Sequence, residues 1–464
     1  MSSNEVIAAL MSVLGEDIVS LGEGIAERRT EDWSGLRGEV PLALARPRSV
    51  AQVSEIMSIC NHHRQPVVVQ GGLTGLAGGA CTSRGDIALS LERMNAIGAV
   101  DTISGTVTVE AGATLEAVQQ AAEAAGLMFA LDLGARGSCT IGGNLATNAG
   151  GVRVIRYGMA REHVLDVEAV LADGSVIGGL HRMVKNNTGY DLRNLMIGSE
   201  GTLGVITRAV LRLRPRPGAV ATAWCGLADY AAVTRLLECA QRDLEAGVSA
   251  FEVMWPSFVD YVTGSVAGLR RPLGSRHGYY VLLEATGSQA CAHQERFEGF
   301  LATMLENGVI ENAAIAQSRA DAQMFWRVRD STADFPVTLP GLVAFDVSFS
   351  IADIGAAAQL CEREVSATWP GSIVLAYGHL GDGNLHLIVH VADADAQTVE
   401  DIEVLVYGIV RDFGGSVSAE HGIGAKKRDV LDHTRSADEI AAMHSIKRAL
   451  DPFGVLNPRK VLPG

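Results

Sequence analysis

Apolar and polar residues alternate along the first half of the chain with two different periods. Val50, Val53, Ile56, Met57 and Cys60 recur at helical spacing, and Ser49 with Gln52 forms the polar pair expected where such a helix begins. Pro66-Val67-Val68-Val69 is a short β-branched run that leads into a glycine-rich turn. Residues 106–110 (TVTVE) alternate as a half-buried strand does, and a helix is expected from Thr114 to a stop at Gly126. Residues 164–177 (VLDVEAVLADGSVI) read as a hairpin around Asp173-Gly174. Arg214-Pro215-Arg216-Pro217-Gly218 interrupts all regular structure and marks a domain boundary.

Beyond that break the rhythm changes. Strands are expected at Tyr279–Glu284, at 343–351 (VAFDVSFSI) and at 372–378 (SIVLAYG), with helices at about 288–306 and 352–368. This order predicts an α+β domain on an antiparallel sheet. The expected division is 1–217, 218–425 and a C-terminal helical segment 426–464.

Composition changes this picture only at the margins. The chain has 464 residues, 48% hydrophobic and 20% charged, enough apolar material for more than one core. A net charge of −15 with no basic stripe argues against a nucleic-acid partner. An anionic substrate must then be drawn by a few local cations. The seven cysteines (60, 81, 139, 225, 239, 291 and 361) never form CxxC, and the N-terminus lacks the basic and cleavage features of a signal peptide. Both features predict a cytoplasmic protein with buried, reduced thiols. No apolar run reaches the ~18 residues of a membrane span.

Chemistry concentrates first in glycine-rich loops. Residues 70–80 (QGGLTGLAGGA) are uncharged and could turn several backbone N–H groups onto an anion. They form neither a P-loop nor GxGxxG, and a lone loop of this kind is as readily a mobile turn. A second loop, Gly134 to Asn144 continuing to Gly151, and a third, Gly198 to Thr207, favour a long ligand with a pyrophosphate in its middle.

These loops, with Asp32-Trp33 and the segment Asn186-Asn187-Thr188-Gly189-Tyr190-Asp191-Leu192, resemble the FAD-binding domain of the vanillyl-alcohol-oxidase (PCMH-type) superfamily. The likeness is nearest to the D-lactate and D-2-hydroxyglutarate dehydrogenases and runs from about residue 30 to Leu456-Asn457-Pro458-Arg459-Lys460. It implies a PCMH-type FAD-binding domain of two α+β subdomains over 1–217, followed by an α+β substrate and metal-binding cap over 218–425. It also implies that Gly71, Gly72, Thr74, Gly75, Leu76, Gly134, Ser138, Thr140, Gly142, Gly143, Asn148, Gly150, Glu200, Gly204, Ile206 and Asn457 hold FAD. Relatives with covalent flavin carry His in the first loop. Here Leu73-Thr74 offers none, so FAD is expected without a covalent link.

The second half carries Tyr377-Gly378-His379-Leu380-Gly381-Asp382-Gly383-Asn384-Leu385-His386 and then Ser418-Ala419-Glu420-His421-Gly422-Ile423-Gly424. Imidazole and carboxylate together suit a divalent ion, zinc first, with manganese or iron as alternatives. Two isolated histidines could equally be polar residues on a hairpin. The resemblance implies that His379, His386 and Glu420 bind the metal, and that His421 is the base. It further implies that Arg329, in Phe325-Trp326-Arg327-Val328-Arg329, takes the substrate carboxylate. A surface Arg on a helix is the plainer alternative.

The chain departs from the 2-hydroxyglutarate enzymes at three places. Ala333, Ala344 and Ile388 stand where those enzymes place Thr, Lys and Asn. The reaction expected is metal-assisted oxidation of a D-2-hydroxy acid, with an uncharged side chain, to the 2-oxo acid. The expected partners are that small molecule and an acceptor of the electron-transfer-flavoprotein, quinone or cytochrome class; a homodimer is compatible with the sequence. Rival readings are an oxidase using O₂ and a flavin-free two-His-one-carboxylate metalloenzyme.

Overall fold

The computed structural model describes residues 3–26, 30–244 and 247–464. The chain divides into two compact units. One comprises Met1–Gly150, Gly158–Arg216 and Glu420–Gly464, and the other Gly151–Tyr157 and Pro217–Ala419.

Among the described residues the first unit holds a short antiparallel pair, Leu127–Met128 with Arg214–Pro215, so the proline-rich break is not wholly irregular. It also holds two four-stranded sheets, each with its own apolar cluster. In one, strands Ala43–Ala45, Ile87–Ser90 and Val67–Gln70 run parallel, and Val19–Ser20 joins the edge antiparallel. Helix Val50–His63 links two of these strands and buries Val53, Ile56, Met57 and Cys60 against them. Ser49 caps it by accepting from the Gln52 N–H, while the Gln52 side chain accepts from Arg48 N–H rather than from the cap residue. The other sheet is antiparallel, in the order Thr106–Glu110, Val205–Arg212, Val164–Val170, Val176–Ile177. Gly174, at φ +90°, makes the hairpin turn that the sequence signals. Helix Leu115–Ala124, capped by Thr114, packs Leu115, Val118 and Ala122 into this second cluster. Two sheets with separate cores constitute the two α+β subdomains.

The C-terminal residues complete the first sheet. Val67 N–H donates to Val455 O and Asn457 N–H to Val67 O, both at 2.8 Å, so the segment lies parallel to that strand. Asp451, fully buried, accepts from the N–H groups of Val455 and Leu456 and pairs with Lys447.

The second unit is built on one seven-stranded antiparallel sheet. Its order is Asn312–Ile315, Ala219–Leu227, Tyr279–Gly287, Val248–Met254, Ile373–His379, Asn384–His390, Val343–Ser348. Directly paired residues share a face. Trp224, Leu282, Met254, Tyr280, Tyr377, Leu375 and Ile388 are joined in this way, and helices Pro256–Ser265 and Arg319–Asp330 pack on them. The short segment Gly151–Tyr157 is clipped to the unit by two arginines. Arg153 pairs with Glu284 at 2.9 Å, and Arg156 donates to Gly247 O at 2.8 Å. Among the described residues no helix is long and apolar enough to cross a membrane. The cysteines are free, and all but Cys291 are buried.

Candidate functional site

The first unit supplies a backbone cradle. Strand Val67–Gln70 ends in the loop Gly71–Leu76, and among the described residues no protein acceptor meets the six N–H groups of that loop. Exposed to solvent or ligand, such a run suits a doubly charged diphosphate. The loop leans on its neighbour with no room for side chains. A Cβ on Gly71 would lie 2.5 Å from Thr140 Oγ1, and one on Gly72 would overlap the Ser138 carbonyl oxygen. Thr140 itself caps the short helix Ile141–Ala146, and a Cβ on Gly142 would meet Ala111 at 2.6 Å.

The remaining candidates of this unit fall into three groups. Asn148, at φ +49°, accepts from Arg161 N–H; Gly204 packs on Met196, and Ile206 is buried in the second cluster. Leu76 is exposed, and nothing crowds Gly134. Glu200 and Asn457 serve the protein backbone. Asn457 accepts from Val69 N–H at 2.8 Å and donates to Glu200 O at 2.6 Å. The Glu200 carboxylate accepts from Ile423 and Gly424 N–H at 2.7 and 2.8 Å. Burial pushes its carboxyl above the ordinary glutamate value, against those hydrogen bonds and the charges of Lys427 and Lys460.

That clamp holds the Glu420–Gly424 segment. Gly422 and Gly424 take positive φ; a Cβ on Gly422 would meet the Glu200 carboxylate at 2.8 Å, and one on Gly424 would overlap Ala77 O. Gly150 lies so close to Glu420 that a Cβ there would be 2.6 Å from Oε1. Glu420 and His421 are therefore presented from a short, fixed loop.

The second unit supplies imidazoles and a buried cation. The turn Leu380–Asp382, closed by Gly383 at φ +83°, folds the chain back and brings His379 and His386 together, with ring centroids 5.2 Å apart at 86°. His379 is the direct cross-strand partner of Glu252, and Asp346 that of His386. His379 Nδ1 stands 2.7 Å from Glu252 Oε1. His386 Nδ1 is 3.8 Å from Asp346 Oδ1, to which Asn384 also donates at 2.7 Å. Arg329, in the last turn of its helix, is buried rather than a surface residue. Its Nε–H donates to Glu252 Oε2 at 2.7 Å, and NH2 lies 3.3 Å from His379 Nε2. Burial alone would push the Glu252 carboxyl up, yet the charges of His379 and Arg329 hold it below the ordinary value.

Glu252 and Asp346 were absent from the residues that the sequence singles out. Each is a lone carboxylate within an otherwise apolar or small-residue strand, VSAFEVM and VAFDVS, and that interruption is the signal that could have found them.

The glycine contacts carry a first prediction. Gly72→Ala should force two backbone segments apart at roughly 1–3 kcal/mol, which is about five- to 150-fold in FAD affinity. Flavin content after gel filtration measures it. A full complement would show that this loop is not the cradle.

Comparison with known proteins places these features in a family. Residues 41–178 match the family model described as FAD binding domain, and residues 216–461 that described as FAD linked oxidases, C-terminal domain. The chain is 38% identical to the mitochondrial D-2-hydroxyglutarate dehydrogenase of Arabidopsis thaliana over 458 residues, 98% of this chain and 81% of that protein. It is also 38% identical to the D-2-hydroxyglutarate dehydrogenase of Xanthomonas citri pv. viticola over 445 residues, 94% and 92% of the two chains. The fold is that of p-cresol methylhydroxylase with substrate bound, at a TM-score of 0.78 and 16% identity, covering 99% of this chain and 96% of that one.

One expectation is overturned here. Relatives from Oryza sativa, Arabidopsis thaliana, Danio rerio and Bos taurus are named mitochondrial, which points away from the cytoplasm. Buried free thiols require only a reducing compartment and do not select the cytosol. The orphaned N–H run and the glycine contacts fit FAD as the cofactor. Matched by both models and 38% identical over almost its whole length to a relative, the chain belongs to the FAD-linked oxidase family and is an FAD-dependent oxidoreductase.

Proposed function

We propose that the chain is a dehydrogenase of D-2-hydroxy acids, giving the 2-oxo acid and passing two electrons through non-covalent FAD to a separate acceptor. The observation that carries this reading is the buried Glu252–His379 pair at 2.7 Å beside the His386 ring. A histidine whose Nδ1 is held by a carboxylate presents Nε2 as a ligand, the usual second-sphere arrangement at metal sites. Ala419 donates its N–H to Asp346 O at 3.3 Å, opposite His386, and the chain then runs straight into Glu420 and His421. His379, His386 and Glu420 would hold one divalent ion, with zinc the first choice for two imidazoles and a carboxylate.

A bound ion would supply Lewis-acid polarisation of the substrate's oxygens, and FAD would supply a two-electron acceptor for the α-hydride. The residues of the chain do the rest. His421 takes the hydroxyl proton on its imidazole. Arg329, its Nε held by Glu252 and its NH1 and NH2 near Asp330 and His379, would take the substrate carboxylate with these terminal groups. Ala344 and Ile388 are direct cross-strand partners, next along the face from Asp346 and His386. Neither side chain of that pair can donate to a distal carboxylate, and each missing charge-assisted bond is worth about 1.5–3 kcal/mol. The preferred tail is therefore uncharged or weakly polar.

A single assay with a dye acceptor tests both levels. Chelation should abolish flavin reduction by substrate with FAD still bound; full activity in protein shown metal-free by elemental analysis would remove the metal from the reading. In the same assay, D-lactate and longer apolar D-2-hydroxy acids should exceed D-2-hydroxyglutarate in kcat/KM. A tenfold preference for the diacid would overturn the tail assignment and leave the reaction class standing.

A further inference from the structure

We infer that Glu252 is a positioning residue which, with one carboxylate, fixes both the tautomer of His379 and the orientation of the Arg329 fork. This rests on the metal and substrate roles proposed above for those two residues.

Every residue of Val248–Met254 is buried, and Glu252, 1% exposed, is its only charged member. A carboxylate is retained in such a place only when its oxygens are met by donors. Here Oε1 is met by His379 Nδ1 and Oε2 by Arg329 Nε, each at 2.7 Å. An ionised carboxylate can only accept, so His379 carries a proton on Nδ1, and in its neutral form the ring then keeps the Nε2 lone pair. The geometry is rigid from both sides. Glu252 and His379 are paired across adjacent strands, and Arg329 comes from a helix packed on the same face. The two partners are thus aligned by one group, with Arg329 NH2 near both ring nitrogens of His379, 3.4 Å from Nδ1 and 3.3 Å from Nε2.

Glutamine, nearly identical in shape, cannot do both jobs. If its carbonyl oxygen accepts from Arg329 Nε–H, its amide N–H₂ faces His379 Nδ1 and demands the opposite tautomer, with the proton on Nε2. If the oxygen accepts from His379, the amide donors confront Arg329. Either arrangement sacrifices one partner.

The test uses the full-length flavoprotein labelled with ¹⁵N-histidine, with and without Zn²⁺. In chelated wild-type protein, long-range ¹H–¹⁵N spectra should place the His379 proton on Nδ1, the signal being assigned by its loss in H379Q. In E252Q that proton should move to Nε2 or the ring should sample both forms. Zn²⁺ affinity, measured by competition with a chromophoric chelator, should weaken by about 10–100-fold at unchanged FAD content. KM for the hydroxy acid should rise more than kcat falls. E252D, which keeps the charge but is one methylene too short to reach both partners, gives the same readouts should E252Q not accumulate. A wild-type proton on Nε2, or an unaltered tautomer together with unaltered Zn²⁺ affinity in the variants, overturns the inference. A tautomer change in protein that binds no Zn²⁺ supports the positioning role and refutes the metal reading alone.

Discussion

His421→Ala is expected to slow flavin reduction by roughly 10²–10⁴-fold, the usual worth of a placed acid–base group. The effect should fall on the chemical step because the loop that carries His421 is fixed independently of its imidazole. Glu200 accepts from Ile423 and Gly424, and Ala77 O receives the Ala425 and Lys426 N–H groups. Removing the ring therefore leaves the loop and the FAD cradle in place. Anaerobic stopped-flow at saturating hydroxy acid separates rate from binding. A loss confined to KM would reassign His421 to substrate orientation.

The second large effect is on stability. Arg329→Leu should cost about 3–5 kcal/mol, because it strands Glu252, a buried carboxylate, with half of its partners. Four of the five tryptophans, Trp224, Trp255, Trp326 and Trp369, belong to the second unit, so denaturant unfolding followed by tryptophan fluorescence reports chiefly on it. The midpoint should fall at nearly constant slope. Arg329→Lys should recover part of the stability through its charge but not the substrate affinity, since a single ammonium cannot reproduce the fork. A midpoint unchanged in Arg329→Leu would mean that Glu252 is protonated or solvated.

Local structure was legible where one physical cause dominates. The 3.6-residue period of Val50 to Cys60, the Ser49 cap and the positive-φ glycine at 174 each depend on neighbours in sequence, and each appears in the structure. The antiparallel sheet of the second unit was legible from its separated alternating strands. The carboxylates that orient the site were not. Glu252 lies 127 residues from His379, and only strand pairing brings the two together. Glu200 and Asn457 illustrate the same limit from the other side. Their side chains hold protein backbone more than two hundred residues away, contacts that their places beside glycine loops do not announce. The docking of Gly151–Tyr157 on the second unit depends on Arg153 and Arg156 finding acceptors on strands that come a hundred residues later, and no local pattern announces that.

The attachment of the C-terminal segment to the strand at Val67 has a consequence for biosynthesis. The bond between Val69 and Asn457 spans 388 residues, so on a ribosome the unit begun first is finished last. Until Val455–Asn457 emerge, the nascent chain carries an open strand edge, and the loop that Lys460 later ties down through Gly78 O and Cys81 O lacks its anchor. Bare edges of that kind recruit other chains. A message cut just before Val455 would therefore yield a protein with every strand present and its flavin cradle unsecured, a substrate for chaperones and proteases rather than a slower enzyme.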